Sequence, residues 1–191
     1  MKLVVGLRNP GAEYEGTRHN VGLEVLLVLG ERWDARFKRG PMRVRSEIAD
    51  IRVGSERVLL VAPLSYMNES GGAVKAALDY HKIGIGSALI LHDDIDLPFG
   101  RLRLQEGGGT GGHNGLKSLE KSLGTRDFTR LKIGVGRPPG SQDPADYVLS
   151  RFSKAQRQEV DIQIEDAADV VETWLSDPRK AQELAARRQP A

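Results

Sequence analysis

Ala88-Leu89-Ile90-Leu91-His92 runs directly into Asp93-Asp94-Ile95-Asp96. A short apolar run stopped by acids reads as a buried strand that ends at a polar boundary. The same pattern recurs on either side of it. Residues 2–7 are a Val-rich apolar run that ends in Arg8-Asn9-Pro10-Gly11, a strand followed by a turn. Residues 131–135 are a last strand, closed by Gly136-Arg137-Pro138-Pro139. Helical patterns separate these runs. One covers residues 21–33, with Thr17 or Asn20 placed to cap it. A second covers residues 70–82 and is closed by Gly84 and Gly86, and a third covers residues 113–123. Residues 43–53 and 57–62 read as two strands joined by a Gly54-Ser55 hairpin turn, with Pro63 breaking the second. Residues 101–104 alternate basic and apolar side chains, as a half-buried strand does.

Ser153 and Gln156 fit a capping box. The helix behind them places Val160, Ile164, Ala167, Ala168, Val171, Trp174 and Leu175 on one face. The tail, residues 178–191, is polar and is expected to fray. Alternating strands and helices predict one α/β domain over residues 1–191, with a largely parallel sheet and one antiparallel hairpin. Ligands of open α/β sheets bind beyond the carboxyl ends of the strands. Those ends supply Asn9, Tyr66-Met67-Asn68, Asp93 and Arg137, which places a candidate site at that edge.

The chain has 191 residues, 39% of them hydrophobic, and no cysteine. It is long enough for one sizeable core, and it has no disulfide, thiolate metal ligand or cysteine nucleophile. Its apolar runs are too short to span a bilayer, and the N-terminal segment lacks a signal-peptide cleavage pattern, so no membrane partner and a cytoplasmic location are expected. The net charge is only +2, but it is unevenly spread. Residues 99–137 hold eight basic and three acidic side chains, a net +5, and residues 154–177 hold two basic and seven acidic, a net −5. Such asymmetry is what a phosphate-binding face requires, although two unrelated solvated surfaces would read the same way.

His19 precedes the first long helix, within ten residues of Asn9. A neutral imidazole accepts a proton from water near pH 7, and a carboxylate such as Asp93 can hold its tautomer. A helix-terminus histidine bonded to backbone is the equally available alternative. With no G-x-S-x-G elbow and no cysteine, the nucleophile of a hydrolase here would be water. Asp93 and Asp94 face opposite sides of a strand, and no histidine pair has zinc-ligand spacing, so a metal is not expected. Gly107, Gly109 and Gly112 match G-x-G-x-x-G, but Arg130-Leu131-Lys132 stands where a dinucleotide site needs an acid, which argues against NAD. The loop remains a candidate phosphate cradle or mobile lid, or a plain strand-to-helix connection. Asn68 and Asn114 offer amides that both donate and accept, or are simply caps.

Together these residues resemble bacterial-type peptidyl-tRNA hydrolases. The resemblance rests on Gly6-Leu7-Arg8-Asn9-Pro10-Gly11 with Tyr14 and Thr17-Arg18-His19-Asn20. It continues through Pro63, Tyr66-Met67-Asn68, Ser70-Gly71, His92-Asp93-Asp94 and Asp96-Leu97-Pro98. Gly111-Gly112-His113-Asn114-Gly115-Leu116, Phe128, Arg130-Leu131 and Ile133-Gly134-Val135-Gly136-Arg137-Pro138 complete it in family order. It implies a phosphorylase/hydrolase-like single domain with a twisted mixed sheet, no cofactor, and hydrolysis of the ester between a peptide and the 3′-terminal ribose of tRNA. It implies His19 as general base and Asp93 as its partner. Asn9, Asn68 and Asn114 would line the site, with Tyr14 and Met67 beside the substrate end and Arg103 and Lys132 on the tRNA backbone. The expected partner is peptidyl-tRNA, met by a monomer. Arg8 stands where the family usually has glycine, and Gln105 where a relative could carry a basic phosphate contact. A non-catalytic RNA-binding relative on the same scaffold is the main alternative, and a phosphate-dependent nucleoside-cleaving enzyme is a second. Retention of His19, Asp93 and the three asparagines favours the hydrolase.

Overall fold

The computed structural model describes residues 1–190. The central strand β1 (Lys2–Gly6) has Leu3, Val4, Val5 and Gly6 all buried. A strand with no solvated face needs cover on both sides of its sheet. After it come α1 (Val21–Arg32), β2 (Lys38–Arg39), β3 (Ser46–Val53), β4 (Glu56–Pro63) and α2 (Ser70–His81). The chain continues through β5 (Ala88–Asp94), β6 (Leu102–Glu106), α3 (Asn114–Leu123) and β7 (Thr129–Gly134). It closes with α4 (Pro144–Val148), α5 (Lys154–Ser176) and α6 (Pro178–Arg187).

The seven strands lie in the order β2-β3-β4-β1-β5-β7-β6. The four central strands β4, β1, β5 and β7 are parallel. Antiparallel pairings confine themselves to the flanks, β2-β3-β4 on one side and β7-β6 on the other. The mixed, largely parallel sheet expected from the sequence is therefore observed. On one face Val25 and Leu29 of α1 pack with Val160, Ile164, Val171 and Trp174 of α5. On the other face Val74 and Ala77 of α2 pack with Leu116 and Leu119 of α3. Burying each such side chain is worth about 1.5–3 kcal/mol. Two covered faces leave only the strand ends free for chemistry. The four parallel strands share one carboxyl edge, where β1 and β5 are immediate neighbours with Gly6 opposite Leu91.

Several boundaries differ from expectation for local reasons. β3 starts at Ser46, because Arg45 adopts φ 49° and turns the chain before the ladder begins. Lys82 itself ends α2 in the left-handed region at φ 54°, ahead of the glycines expected to do so. The Ser153–Gln156 capping box is present as expected.

The largest difference is the tail. The segment expected to fray is α6, started by the Asp177 side chain accepting from Lys180 N–H and by Pro178 in the first turn. Ala181 and Ala185, one helical turn apart, are fully buried in the core that α5 also lines. Small residues on a polar helix carry little sequence signal, yet they allow close approach. Beyond α6, Arg188 is buried and donates to Glu159, Asp166 and the Gly100 carbonyl at 2.6–2.9 Å. Arg188→Ala removes this fastening. It is expected to lower unfolding stability by about 3 kcal/mol, the scale of breaking a buried ion pair. Urea titration should show a lower midpoint with an unchanged slope.

Candidate active site

Past the end of β1 the chain keeps sheet pairing for one more residue, Leu7 N–H donating to the Leu91 carbonyl at 3.1 Å. Asn9 then sits at the carboxyl edge with its backbone gripped on both sides by one side chain. Asn20 Oδ1 accepts from Asn9 N–H at 2.8 Å, and Asn20 Nδ2 donates to the Asn9 carbonyl at 2.9 Å. Asn20 thus clamps the loop and does not cap α1, which has no side-chain cap. The Asn9 side chain is oriented as well, because its Oδ1 accepts from Met67 N–H at 2.7 Å. A backbone N–H can only donate, so the atom facing it must be the oxygen. The Asn9 NH₂ is then left to donate elsewhere.

His19 lies in a tight 3-10 turn (Arg18–Asn20) that leads into α1. Both oxygens of Asp93, on β5, are 3.0 Å from His19 Nδ1. The turn reaches β5 because α1 packs against it without a side chain in between. A Cβ on Gly22 would lie well inside contact distance of the Leu91 carbonyl oxygen. Nδ1 donates to the carboxylate, so Nε2 keeps its lone pair.

Asp93 has a second imidazole partner. His113 Nε2 is 2.9 Å from Asp93 Oδ1. The other nitrogen of that ring, Nδ1, accepts from Gly115 and Leu116 N–H and caps α3. A nitrogen that accepts two amide hydrogens is unprotonated, so His113 is neutral and donates through Nε2. His92, next to Asp93 on β5, is fully buried and packs edge-on to His113 with ring centroids 5.1 Å apart. Burial pushes its pKa down to about 3 and keeps it neutral. Burial alone would raise the Asp93 carboxyl, but the two imidazoles outweigh it and hold Asp93 well below the usual carboxylate range. Burial alone would lower His19, and the charge and hydrogen bond of Asp93 outweigh that, leaving His19 above its ordinary 6.5.

A cleft of about 500 Å³ opens on this cluster. His19, Asp93, His113 and Asn114 form its floor, Gly109–Gly112 one wall and Asp143–Val148 another. Arg18 is buried beneath the second wall. Its guanidinium donates to the Ser150 and Arg151 carbonyls, Ser150 Oγ and Gln156 Oε1, and stacks on Tyr147 at 4.0 Å. The residue before the histidine therefore fastens this wall to the His19 turn.

Of the nine site residues expected from the sequence, four line this cleft: His19, Asp93, Asn114 and Lys132. Lys132 lines the cleft and sits 3.6 Å from Asp94. Its cross-strand partner Arg103 is exposed on β6. Asn9, Asn68, Tyr14 and Met67 lie outside that cleft. Asn68 is exposed, Tyr14 meets Tyr66 edge-on at 6.3 Å, and Met67 is buried in the core below Gly115. Arg8 points away along β4, donating to the Pro63 carbonyl and to Glu47. Of the eight basic residues counted between residues 99 and 137, Arg130 is fully buried and belongs to no surface. Sequence reasoning placed His113 at a helix start but missed its bond to Asp93, and it missed the structural uses of Arg18 and Asn20.

The family model described as "Peptidyl-tRNA hydrolase" matches residues 3–190. The chain is 50% identical to the peptidyl-tRNA hydrolase of Kineococcus radiotolerans over 89% of its length and 88% of the relative's. It is 48% identical to that of Frankia alni over 92% and 88%. Its fold superposes on the crystal structure of peptidyl-tRNA hydrolase from Acinetobacter baumannii with a TM-score of 0.94, at 31% identity, covering 100% of this chain and 97% of the other.

Gly22→Ala tests how the site is assembled. The added methyl forces α1 away from β5 and is expected to cost about 1–3 kcal/mol. It should also part His19 from Asp93. NMR titration should then find the His19 pKa falling from its raised value toward or below 6.5.

Proposed function

Because the chain belongs to the peptidyl-tRNA hydrolase family, and is accordingly an enzyme, we propose that it frees tRNA from peptidyl-tRNA with His19 as general base and Asp93 as the group that orients and charges it. The observation that carries this reading is the bond of His19 Nδ1 to a buried carboxylate, which leaves Nε2 as the basic nitrogen at an open cleft.

The steps follow from the atoms available. His19 Nε2 takes a proton from a water molecule, and the water oxygen bonds to the ester carbonyl carbon. Charge develops on the carbonyl oxygen, and an asparagine amide or a backbone N–H donates to it. The bond between that carbon and the ribose oxygen breaks, and the imidazolium returns its proton to the ribose oxygen. Peptide acid and tRNA 3′-hydroxyl leave, and His19 is neutral again. Asp93 stabilises the imidazolium between the two proton transfers. Asn68 and Asn114 meet the peptide amide, Tyr14 and Met67 support the substrate end, and Arg103 and Lys132 meet the tRNA backbone. The enzyme acts as a cytoplasmic monomer in this reading, and no described helix is long and apolar enough to cross a membrane.

The direct test is hydrolysis of N-acetylated aminoacyl-tRNA beside the same tRNA with a free amine. A free amine lacks the carbonyl acceptor and carries a cation into the site, so the site's amides go unpaired and discrimination of up to about 10⁴ is attainable. Faster cleavage of the acetylated substrate is expected, and equal rates would point to a general esterase. His19→Ala should lower turnover by about 10²–10⁴-fold while tRNA binding in a gel shift stays near wild type. Wild-type turnover in that variant would remove His19 from the mechanism.

The pH dependence has a definite sign. Only neutral His19 is a base, so the rate rises with pH through a midpoint above 6.5. In Asp93→Asn the charge that raises His19 is gone and the desolvation that lowers it remains. The limb should move to lower pH while the plateau falls by about 10²-fold. A profile that keeps both its midpoint and its plateau would show that Asp93 does not act on His19.

A further inference from the structure

The glycine loop between β6 and α3 is held by side chains beneath it. Gln105 on β6 and Arg130 on β7 are direct cross-strand partners. Gln105 Nε2 donates to the Gly107 carbonyl at 3.0 Å. Arg130 Nη1 donates to the Gly109 carbonyl at 2.8 Å, and Nη2 donates to the Gly108 carbonyl at 3.2 Å and the Arg126 carbonyl at 3.3 Å. Three successive loop carbonyls are thus taken by one pair of side chains. Gly107 N–H is also bound, to the Phe128 carbonyl at 3.1 Å.

The loop backbone is shaped to this pair. Gly108 adopts φ 105°, and a Cβ there would collide with Gln105 Nε2. Arg130 is fully buried, stacked 4.5 Å from the Phe128 ring, and its two terminal nitrogens donate to three backbone carbonyls. Its Nε is buried without a partner, so this cation depends on those carbonyls staying in place. On the far side, His113 N–H donates to the Thr110 carbonyl at 3.0 Å, and the His113 ring bonds Asp93. Only residues 110–112 lie between these two fastenings.

We propose that Gln105 and Arg130 are positioning residues that act as one clamp on the Gly107–Gly109 carbonyls. The clamp sets the glycine wall of the cleft and confines its motion to residues 110–112. It makes the wall a binding surface of fixed shape, so the clamp acts on substrate affinity rather than on the proton transfers at His19. The position of Gln105 in the phosphate-facing part of the sequence is explained by the loop it holds. The kinetic part of this inference rests on the hydrolase reading above, whereas the loop part does not.

The test uses Gln105→Ala, and Arg130→Lys, whose single ammonium cannot span two carbonyls as a guanidinium does. Hydrogen exchange of the free full-length protein should be about tenfold faster at the Gly107 and His113 amides, the bonded donors that bracket the loop, and unchanged in the rest of the sheet. With N-acetylated aminoacyl-tRNA, KM should rise about tenfold, the scale of one lost hydrogen bond. Turnover and the midpoint of the acidic limb should stay within about twofold of wild type on that same scale. The salt dependence of tRNA binding should run parallel to wild type. A slope reduced by about one would make the pair a phosphate contact and overturn the clamp. Unchanged loop exchange in Gln105→Ala overturns it too, including when Arg130→Lys fails to fold. Faster exchange with an unchanged KM overturns the assigned effect on affinity. Exchange is read without substrate, so failure of the hydrolase reading and failure of the clamp are distinguishable.

Discussion

A carboxylate buried at the end of a β-strand must be compensated where it stands, and the site is organised around that demand. Asp93 is 2% exposed on β5, and two imidazole nitrogens reach it at 3.0 and 2.9 Å. An unpaired carboxylate at such depth would take up a proton rather than remain charged. Two donors keep it ionised, and one of those donors is the base that the charge then tunes. The second, His113, has no lone pair left to offer, because its Nδ1 is occupied by the start of α3. One ring therefore serves proton transfer while the other serves only to hold the anion. The same type of side chain takes two roles because each ring's distal nitrogen meets a different environment.

The elements around Asp93 follow from bringing those two rings to it. His19 arrives because α1 lies tight on β5 at Gly22, and His113 arrives because α3 begins directly above the strand end. Asn20 ties the β1 loop to the His19 turn, and Asn9 ties that loop to the segment after β4. Two strand ends and the His19 turn are thereby connected through side-chain amides before any substrate binds. Such cross-linking keeps polar groups in place without a deep hydrophobic pocket around them.

Buried arginines do the corresponding work in the walls and the carboxyl-terminal region. Arg18, Arg130 and Arg188 are each at least nine-tenths buried, and each donates to backbone carbonyls of a distant segment. Carbonyls at helix ends and in loops lack partners within their own element. A guanidinium, with five donors in one plane, can collect several of them at once. Charge counted along the chain consequently overstates the charge available to a phosphate backbone. Arg130 is inside, and Arg126, Lys132 and Arg137 each lie beside an acid.

The sequence by itself determined the sheet, the alternation of helices and the edge at which chemistry would occur, because these depend on periodic burial. Residues 3–7 and 88–91 are apolar throughout, and the side chains that follow them are polar. His19 and Asp93 were also legible as a pair, through residue chemistry, strand-end position and resemblance to a family. Only the tertiary structure decided which polar residues serve the fold. His113 read as a helix start, Asn20 as a cap, Arg130 as surface charge and residues 178–190 as a loose tail. Their partners are remote in sequence: Asp93 for His113, Asn9 for Asn20, Gly108 and Gly109 for Arg130, and the buried alanine face of α6 for the tail. A hydrogen bond to a carbonyl leaves no periodic trace, since every residue offers the same carbonyl. Its partner is chosen by where the packed sheet and helices bring the chain together.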